Sequence, residues 1–326
     1  MAAARVAATT GAKLYAEVFP ARIERGAGLP AVERIAYLAE LASVQLAGFS
    51  HLILVDAKAP VSFFAYPGKK SYLVPDGCQV HELVSATENV GGTLTALLEV
   101  LNAPASLAVP LQAVSRPDLP GGKLTADKIC QAIGALLPEG AIISDEAQTS
   151  GVRLASFTAG APRHDVLTLN GGAIGQGLPV AVGAAVACPG RKVLALVGDG
   201  SAMYTIQSLW TMAREQLDVV VVVFNNRSYA ILNIELERVG TDQTGPVAKS
   251  QLDLSGPDID FVALGYGMGV PSVRVETCEA FNEALQRAVA EPGPHLIEAV
   301  VPNTYSGWRL KALPYGGCPE FCVNGF

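Results

Sequence analysis

The 326 residues leave room for two domains. Half of them are hydrophobic and only 16% are charged, so a large core is available, while a net charge of -7 argues against nucleic acid as a partner. No apolar run approaches ~20 residues, so no membrane span is expected, and the first residues, Met1-Ala2-Ala3-Ala4-Arg5-Val6, lack a signal-peptide core.

Six cysteines, Cys78, Cys130, Cys188, Cys278, Cys318 and Cys322, show no paired metal spacing. Reduced thiols in a cytoplasmic protein are the simplest reading. Residues 1–104 read as a small α/β domain. Strands are expected at 13–19, 51–56 and 80–84, and helices at 31–47 and 92–101. Strands that alternate with helices imply parallel pairing. Between them, 57–75 is rich in proline, glycine and aromatics and reads as a loop.

Residues 105–122 read as a linker, because prolines and glycines there replace any periodicity. The second domain runs over 123–303. Its helices are expected at 124–137, with Thr125 as cap, and at 148–158, 173–188, 202–215, 259–268 and 279–290. Its strands are expected at 141–145, 166–169, 192–197, 218–224, 272–275 and 295–301. This order predicts an α/β fold with doubly wound parallel sheets in both domains. The tail, 304–326, has no period and is expected to be irregular.

The strand at 192–197 runs into Gly198-Asp199-Gly200-Ser201-Ala202. The apolar run at 219–224 ends in Asn225-Asn226-Arg227-Ser228. Unbroken Val/Leu runs mark parallel strands covered on both faces, and ligands of such sheets sit at the strands' carboxyl ends. Asp199 and Asn226 are therefore expected to face one crevice. One carboxylate, one amide oxygen and a backbone carbonyl suit a hard cation such as Mg²⁺ that keeps room for phosphate. Gly198 and Gly200 would let the backbone approach a phosphate. Ser201 would cap the following helix, whose N-terminus favours an anion. Either pair alone reads better as a turn or a strand exit; the two at this spacing favour the site.

Gly-Asp-Gly, about two dozen residues and then Asn-Asn resembles the diphosphate-binding motif of thiamine diphosphate (ThDP) enzymes, closest to the acetolactate synthase and benzoylformate decarboxylase branch. The resemblance covers about residues 5–301. It implies that Asp199, the Asn226 side chain and the Ser228 carbonyl hold Mg²⁺. It also implies that residues 1–104 are part of the family's middle domain. Some relatives bind FAD there, but no adenine-dinucleotide fingerprint is present, so FAD is not expected.

Two further loops fall into place by the same resemblance. Asn170-Gly171-Gly172-Ala173-Ile174-Gly175-Gln176-Gly177 follows a strand and opens a helix. Its glycines do not fit the dinucleotide spacing G-x-G-x-x-G, and close helix–sheet packing is an alternative reading. The ThDP family's loop here grips the aminopyrimidine. Ile174 matches the apolar residue that props the cofactor into a V, and Gly172 matches the carbonyl that meets its 4′-amino group. Gln148 and Thr149 match a turn that touches the diphosphate. Asp145-Glu146 reads as helix-dipole partners rather than a catalytic pair. His51, His81 and His295 are expected at strand starts and His164 in a polar turn, and no histidine pairs with a nucleophile.

Family members carry an N-terminal pyrimidine-binding domain whose glutamate contacts the aminopyrimidine. No match to it is found in this sequence, so a larger chain or a partner chain is expected to supply it, and the catalytic residue is left unassigned. The implied activity is acetolactate synthase-like carboligation of 2-oxo acids. The alternatives are benzoylformate-type decarboxylation and a non-catalytic cofactor-binding fragment. A small-molecule 2-oxo acid substrate and a homo-oligomer or partner chain are the expected partners.

Overall fold

The computed structural model describes residues 1–66, 68, 70–238 and 245–303. The expected tail, 304–326, with Cys318 and Cys322, lies outside the described residues. Two units are distinguished by their internal contacts. One comprises Met1–Pro20, Gly28–Gln112 and Asn170–Gly172, and the other Ala21–Ala27, Ala113–Leu169 and the chain from Ala173 on.

The second unit is a seven-stranded sheet covered by helices. Its strands are β1 (Ile23–Arg25), β2 (Ile142–Glu146), β3 (His164–Leu167), β4 (Val193–Gly198), β5 (Val219–Asn225), β6 (Ser272–Val275) and β7 (His295–Val300). Their order is β6-β7-β5-β4-β2-β3-β1, and all neighbours pair parallel except β1, which runs antiparallel along β3.

Every residue of β5 is buried, as are Val193 to Val197 of β4. The two-residue period of a strand divides these side chains between two layers. Leu194, Leu196, Val220, Val222 and Phe224 pack with Ile129 and Ile133 of helix Ala126–Leu136 and with Phe281 and Leu285 of helix Cys278–Ala290. Val193, Ala195, Val197, Val219, Val221 and Val223 pack with Leu178 and Ala181 of helix Gly177–Ala187, Leu209 of Ser208–Arg214 and Phe261 of Phe261–Gly267. Thr125 caps Ala126–Leu136 as expected, its side chain accepting from the Lys128 amide.

The connections from β2 leave to one side, toward β3, and those from β4 to the other, toward β5. The carboxyl ends of β2 and β4 therefore flank the point where strand order reverses, where ligands of such sheets bind. Glu146 and Val197 are register partners there.

Three expectations about this unit need correction. Residues 148–158 are not one helix but a 3₁₀ turn, Gln148–Gly151, followed by the short helix Leu154–Phe157. Residues 202–215 divide into Asp199–Ala202 and Ser208–Arg214, separated by tight turns in which the Thr205 hydroxyl donates to the Gly175 carbonyl at 2.7 Å. His164 lies not in a turn but buried in β3, with Nδ1 2.8 Å from the Pro162 carbonyl.

Strand β1 comes from a segment expected in the first domain. Asp165 beside it takes Arg22 Nε and Arg191 Nη2, each at 2.7 Å. Burial by itself would raise the Asp165 carboxyl, but these two hydrogen bonds and the charges of both arginines together hold it below the ordinary range. Residues 113–122 lie against this unit. Ser115 N donates to the Gly160 carbonyl at 2.9 Å, and Arg116 reaches the Ala135 and Leu137 carbonyls.

In the first unit the strands pair parallel in two short sheets, Tyr15–Ala16 with Glu33–Arg34 and His51–Val55 with Gln79–Val84. Its helices are Ala2–Thr10, Ala39–Leu46 and Val90–Val100. The helix expected over 31–47 starts only at Ala39. Gln45 holds the preceding segment extended by accepting from Ala36 N at 2.7 Å and donating to the Arg34 carbonyl at 3.3 Å.

Candidate functional site

Strand β4 delivers Asp199 to the reversal point, and Asp199 opens the four-residue helix Asp199–Ala202. The residue is 3% exposed. Its Oδ1 accepts from Gly200 N at 2.8 Å and its Oδ2 from Arg227 N at 2.6 Å. The loop that leaves β5 is thereby docked on the carboxylate that ends β4, and the structure brings Asp199, Asn226 and Ser228 together.

The loop is built for this contact. Arg227 adopts a left-handed φ of 58°, a conformation costly for a residue with a Cβ. Hydrogen bonds within the loop and to Asp199 hold it. Asn225 Oδ1 accepts from Arg227 N at 3.3 Å, Asn226 Oδ1 from Ser228 N at 2.9 Å, and Ser228 N–H and Asn226 N–H also face Asp199. Asn225 is fixed in turn by Glu298, fully buried on β7, whose Oε1 takes Asn225 Nδ2 at 2.7 Å. The Ser228 carbonyl accepts from Ala230 N at 2.9 Å, and its hydroxyl accepts from Asn233 Nδ2 at 2.9 Å. Asn225 was not singled out by sequence; its orienting role depends on Glu298, some seventy residues away.

Burial raises the Asp199 carboxyl from 3.8 to about 6, against backbone hydrogen bonds from Gly200, Arg227, Ser228 and Asn226 that lower it. A buried carboxylate whose partners are backbone amides, beside an amide oxygen and a backbone carbonyl, is an oxygen-donor set of the kind a hard cation takes. Gly198 fits a phosphate neighbour. A Cβ built there has Ser201 Oγ as its nearest contact, at 3.9 Å, so the space beside it is open.

The raised value has a measurable consequence. A carboxyl whose folded value lies above its unfolded one contributes stability that is fully present below about pH 3.8 and lost as pH rises through about 6. The difference of roughly two units corresponds to about 3 kcal/mol. Without divalent cations, the wild type is expected to lose about this much more stability than Asp199→Asn between pH 4 and pH 7. Parallel denaturant curves for the two proteins would refute the assignment.

Gly200 is also needed for packing, since a Cβ there would lie 2.3 Å from the Tyr229 ring. One expectation is corrected here. Ser201 does not cap a following helix. It lies within Asp199–Ala202, whose N-cap is Gly198 with no side-chain bond.

Strand β2 delivers the second part of the site. Gln148 and Thr149 lie half-buried in the 3₁₀ turn after it, which packs against β4 and helix Ala230–Arg238. Gln148 has φ 52°, another left-handed residue at a strand end. Glu146 is 1% exposed, and its carboxylate accepts from the amides of Gly175 and Gly177, the latter at 2.9 Å. It does partner a helix N-terminus as expected, but that of Gly177–Ala187 rather than of the segment that follows it. Burial raises its carboxyl, opposed by the Gly177, Gly175 and Gln176 amides. Ile174 is half-buried in the turn just before Gly175. Gly172, at φ 70°, clusters with the first unit.

Residues 148–299 match the family described as "Thiamine pyrophosphate enzyme, C-terminal TPP binding domain". The chain is 56% identical over 305 residues to a Mycobacterium tuberculosis protein named "Putative acetolactate synthase large subunit IlvX", covering 93% of this chain and 58% of that one. It is 32% identical over 214 residues to benzoylformate decarboxylase of Pseudomonas aeruginosa, covering 63% of this chain and 38% of that one. Among solved structures, the Rhodococcus jostii RHA1 thiamine diphosphate-dependent 4-hydroxybenzoylformate decarboxylase superposes with a TM-score of 0.75 at 26% identity, over 92% of this chain and 58% of that one. The fold is the one shared by thiamine diphosphate-dependent relatives. More particularly, residues 148–299 are the C-terminal TPP-binding domain of that family. The chain spans 58% of the length of the first of these relatives. Among the described residues, no helix is long and apolar enough to cross a membrane.

Proposed function

We propose that this chain carries the Mg²⁺–diphosphate half of a ThDP site and serves acetolactate synthase-like carboligation of 2-oxo acids. The observation that carries the reading is the docking of the Asn225–Ser228 loop on Asp199 at the sheet's reversal point, with Arg227 N to Asp199 Oδ2 at 2.6 Å. Asp199, the Asn226 side chain and the Ser228 carbonyl would hold Mg²⁺. Gln148, Thr149 and Gly198 would line the diphosphate. Ile174 would prop the aminopyrimidine, and the Gly172 carbonyl is kept for its 4′-amino group on the motif alone. When bound, ThDP supplies the electron sink that decarboxylation of a 2-oxo acid needs. The residues named bind and orient it, and the buried loop around Asp199 keeps water from the metal's protein side. The pyrimidine-binding part would come from a longer or a partner chain.

The 56% identity to a protein named for acetolactate synthase supports carboligation. A second reading, benzoylformate-type decarboxylation, is supported by the 4-hydroxybenzoylformate decarboxylase whose structure superposes on this one. Product analysis with ThDP, Mg²⁺ and an added pyrimidine-binding domain tests both. Acetolactate from pyruvate is expected. Benzaldehyde from benzoylformate, with no acetolactate, would favour the second reading. No product from either 2-oxo acid would remove both.

Ile174→Ala tests the ring end of the site. Diphosphate anchoring is expected to stay nearly intact, and activity of the complemented enzyme to fall far more than ThDP affinity, because a looser V forfeits orientation. Equal falls in calorimetric affinity and in turnover would make Ile174 a packing residue only.

A further inference from the structure

Glu146 is held more elaborately than a helix-dipole partner requires. It ends β2 opposite Val197 of β4, inside the crevice at the reversal point. Its two oxygens take two different amides of one turn, Gly175 N on Oε1 and Gly177 N on Oε2. The same turn is gripped at its carbonyls. Ser144, on the same strand, donates to the Gly177 carbonyl at 2.8 Å, and Thr205 donates to the Gly175 carbonyl at 2.7 Å. Both glycines are obligatory in this cage. A Cβ at Gly177 would lie 2.6 Å from Glu146 Oε2, and one at Gly175, where φ is 94°, would lie 2.6 Å from Tyr204 Cβ. Ile174 is the residue covalently next to this clamped peptide, and nothing between them can absorb a shift.

We infer that Glu146 is a positioning residue, whose carboxylate fixes the 175–177 turn and through it the orientation of Ile174 toward the ring end of the cofactor. The inference rests on the ThDP reading above. Glu146 is not placed to exchange a proton with a substrate, because it is 1% exposed and both oxygens are engaged. Geometry also sets the residue type. Aspartate is one methylene too short to reach both amides. Glutamine keeps the length, but its NH₂ would face an amide donor in place of an acceptor. Because burial disfavours the charged form at this position, the neutral Glu146→Gln is expected to fold.

The test uses amide hydrogen exchange and calorimetry on the full chain, with Glu146→Gln and Glu146→Asp. In Glu146→Gln the Gly175 and Gly177 amides are expected to exchange at least about 10-fold faster, with β5 unchanged, the loss expected of a local opening. Affinity for inorganic diphosphate with Mg²⁺ is expected to stay within about twofold, and that for ThDP to weaken about 10-fold, a factor equivalent to one lost hydrogen bond to a charged group. Glu146→Asp should fall between. Unchanged exchange at Gly175 and Gly177 in the glutamine variant would overturn the inference. So would equal losses for diphosphate and ThDP, which would make Glu146 a general support of the fold. A wild type that binds Mg²⁺–diphosphate but gains nothing from the thiamine rings would instead overturn the ThDP reading, and the exchange rates would still decide on Glu146.

Discussion

Asp199→Ala is expected to weaken Mg²⁺-dependent ThDP binding by more than about 100-fold. Loss of a residue that only supports a metal ligand typically costs 10–100-fold, and Asp199 is the one anionic ligand of the proposed set, so its removal should cost more. Asn226→Ala should act in the same direction but less severely, since it removes a neutral ligand and leaves the carboxylate. Asp199→Ala also removes the acceptor of the Gly200 amide, a loss of about 1–3 kcal/mol for a buried donor, and leaves the Arg227 amide only its longer bond to Asn225. Removing a buried carboxylate that lacks its cation offsets part of that loss. Asp199→Asn, which preserves shape and one acceptor oxygen, separates the two effects. Calorimetry that finds wild-type ThDP affinity in a folded Asp199→Ala protein would remove the metal assignment.

The 326-residue chain assayed by itself is expected to turn over pyruvate at least ~10²–10⁴-fold more slowly than an ordinary enzyme, the factor typical of a missing proton-transfer partner. The buried carboxyl groups of the described residues are all committed elsewhere. Asp165 lies between Arg22 and Arg191, Glu298 takes Asn225 and Arg274, Glu146 holds the 175–177 turn, and Asp199 holds the loop after β5. Steady decarboxylation by the purified chain at ~1–10³ s⁻¹ would contradict this. A base within these residues would then have to be found.

The strands were legible where burial is complete. The unbroken valines of β5 and the Val-Leu-Ala-Leu-Val of β4 can only lie between two layers, and the meeting of Asp199 with the loop after β5 at their carboxyl ends followed from that. Short elements were not legible. Ile23–Arg25 is three residues without a period, and it is a strand by its antiparallel pairing with His164–Val166, beside which Arg22 binds Asp165. The helix expected at 202–215 breaks into tight turns around Thr205, whose hydroxyl bonds to Gly175, a contact between segments thirty residues apart that no local pattern encodes. Glycine was the hardest residue to interpret. A Cβ at Gly200 would meet the Tyr229 ring and one at Gly177 the Glu146 carboxylate, and neither neighbour is visible in the local sequence. A missing Cβ shows that something is close without saying what.

Titrating ThDP into the purified chain with and without Mg²⁺ tests the central claim most directly. The account predicts saturable binding that needs the metal, is competed by inorganic diphosphate and disappears in Asp199→Ala. Binding that is indifferent to Mg²⁺ and to Asp199, or no binding of ThDP or of diphosphate under either condition, would contradict it.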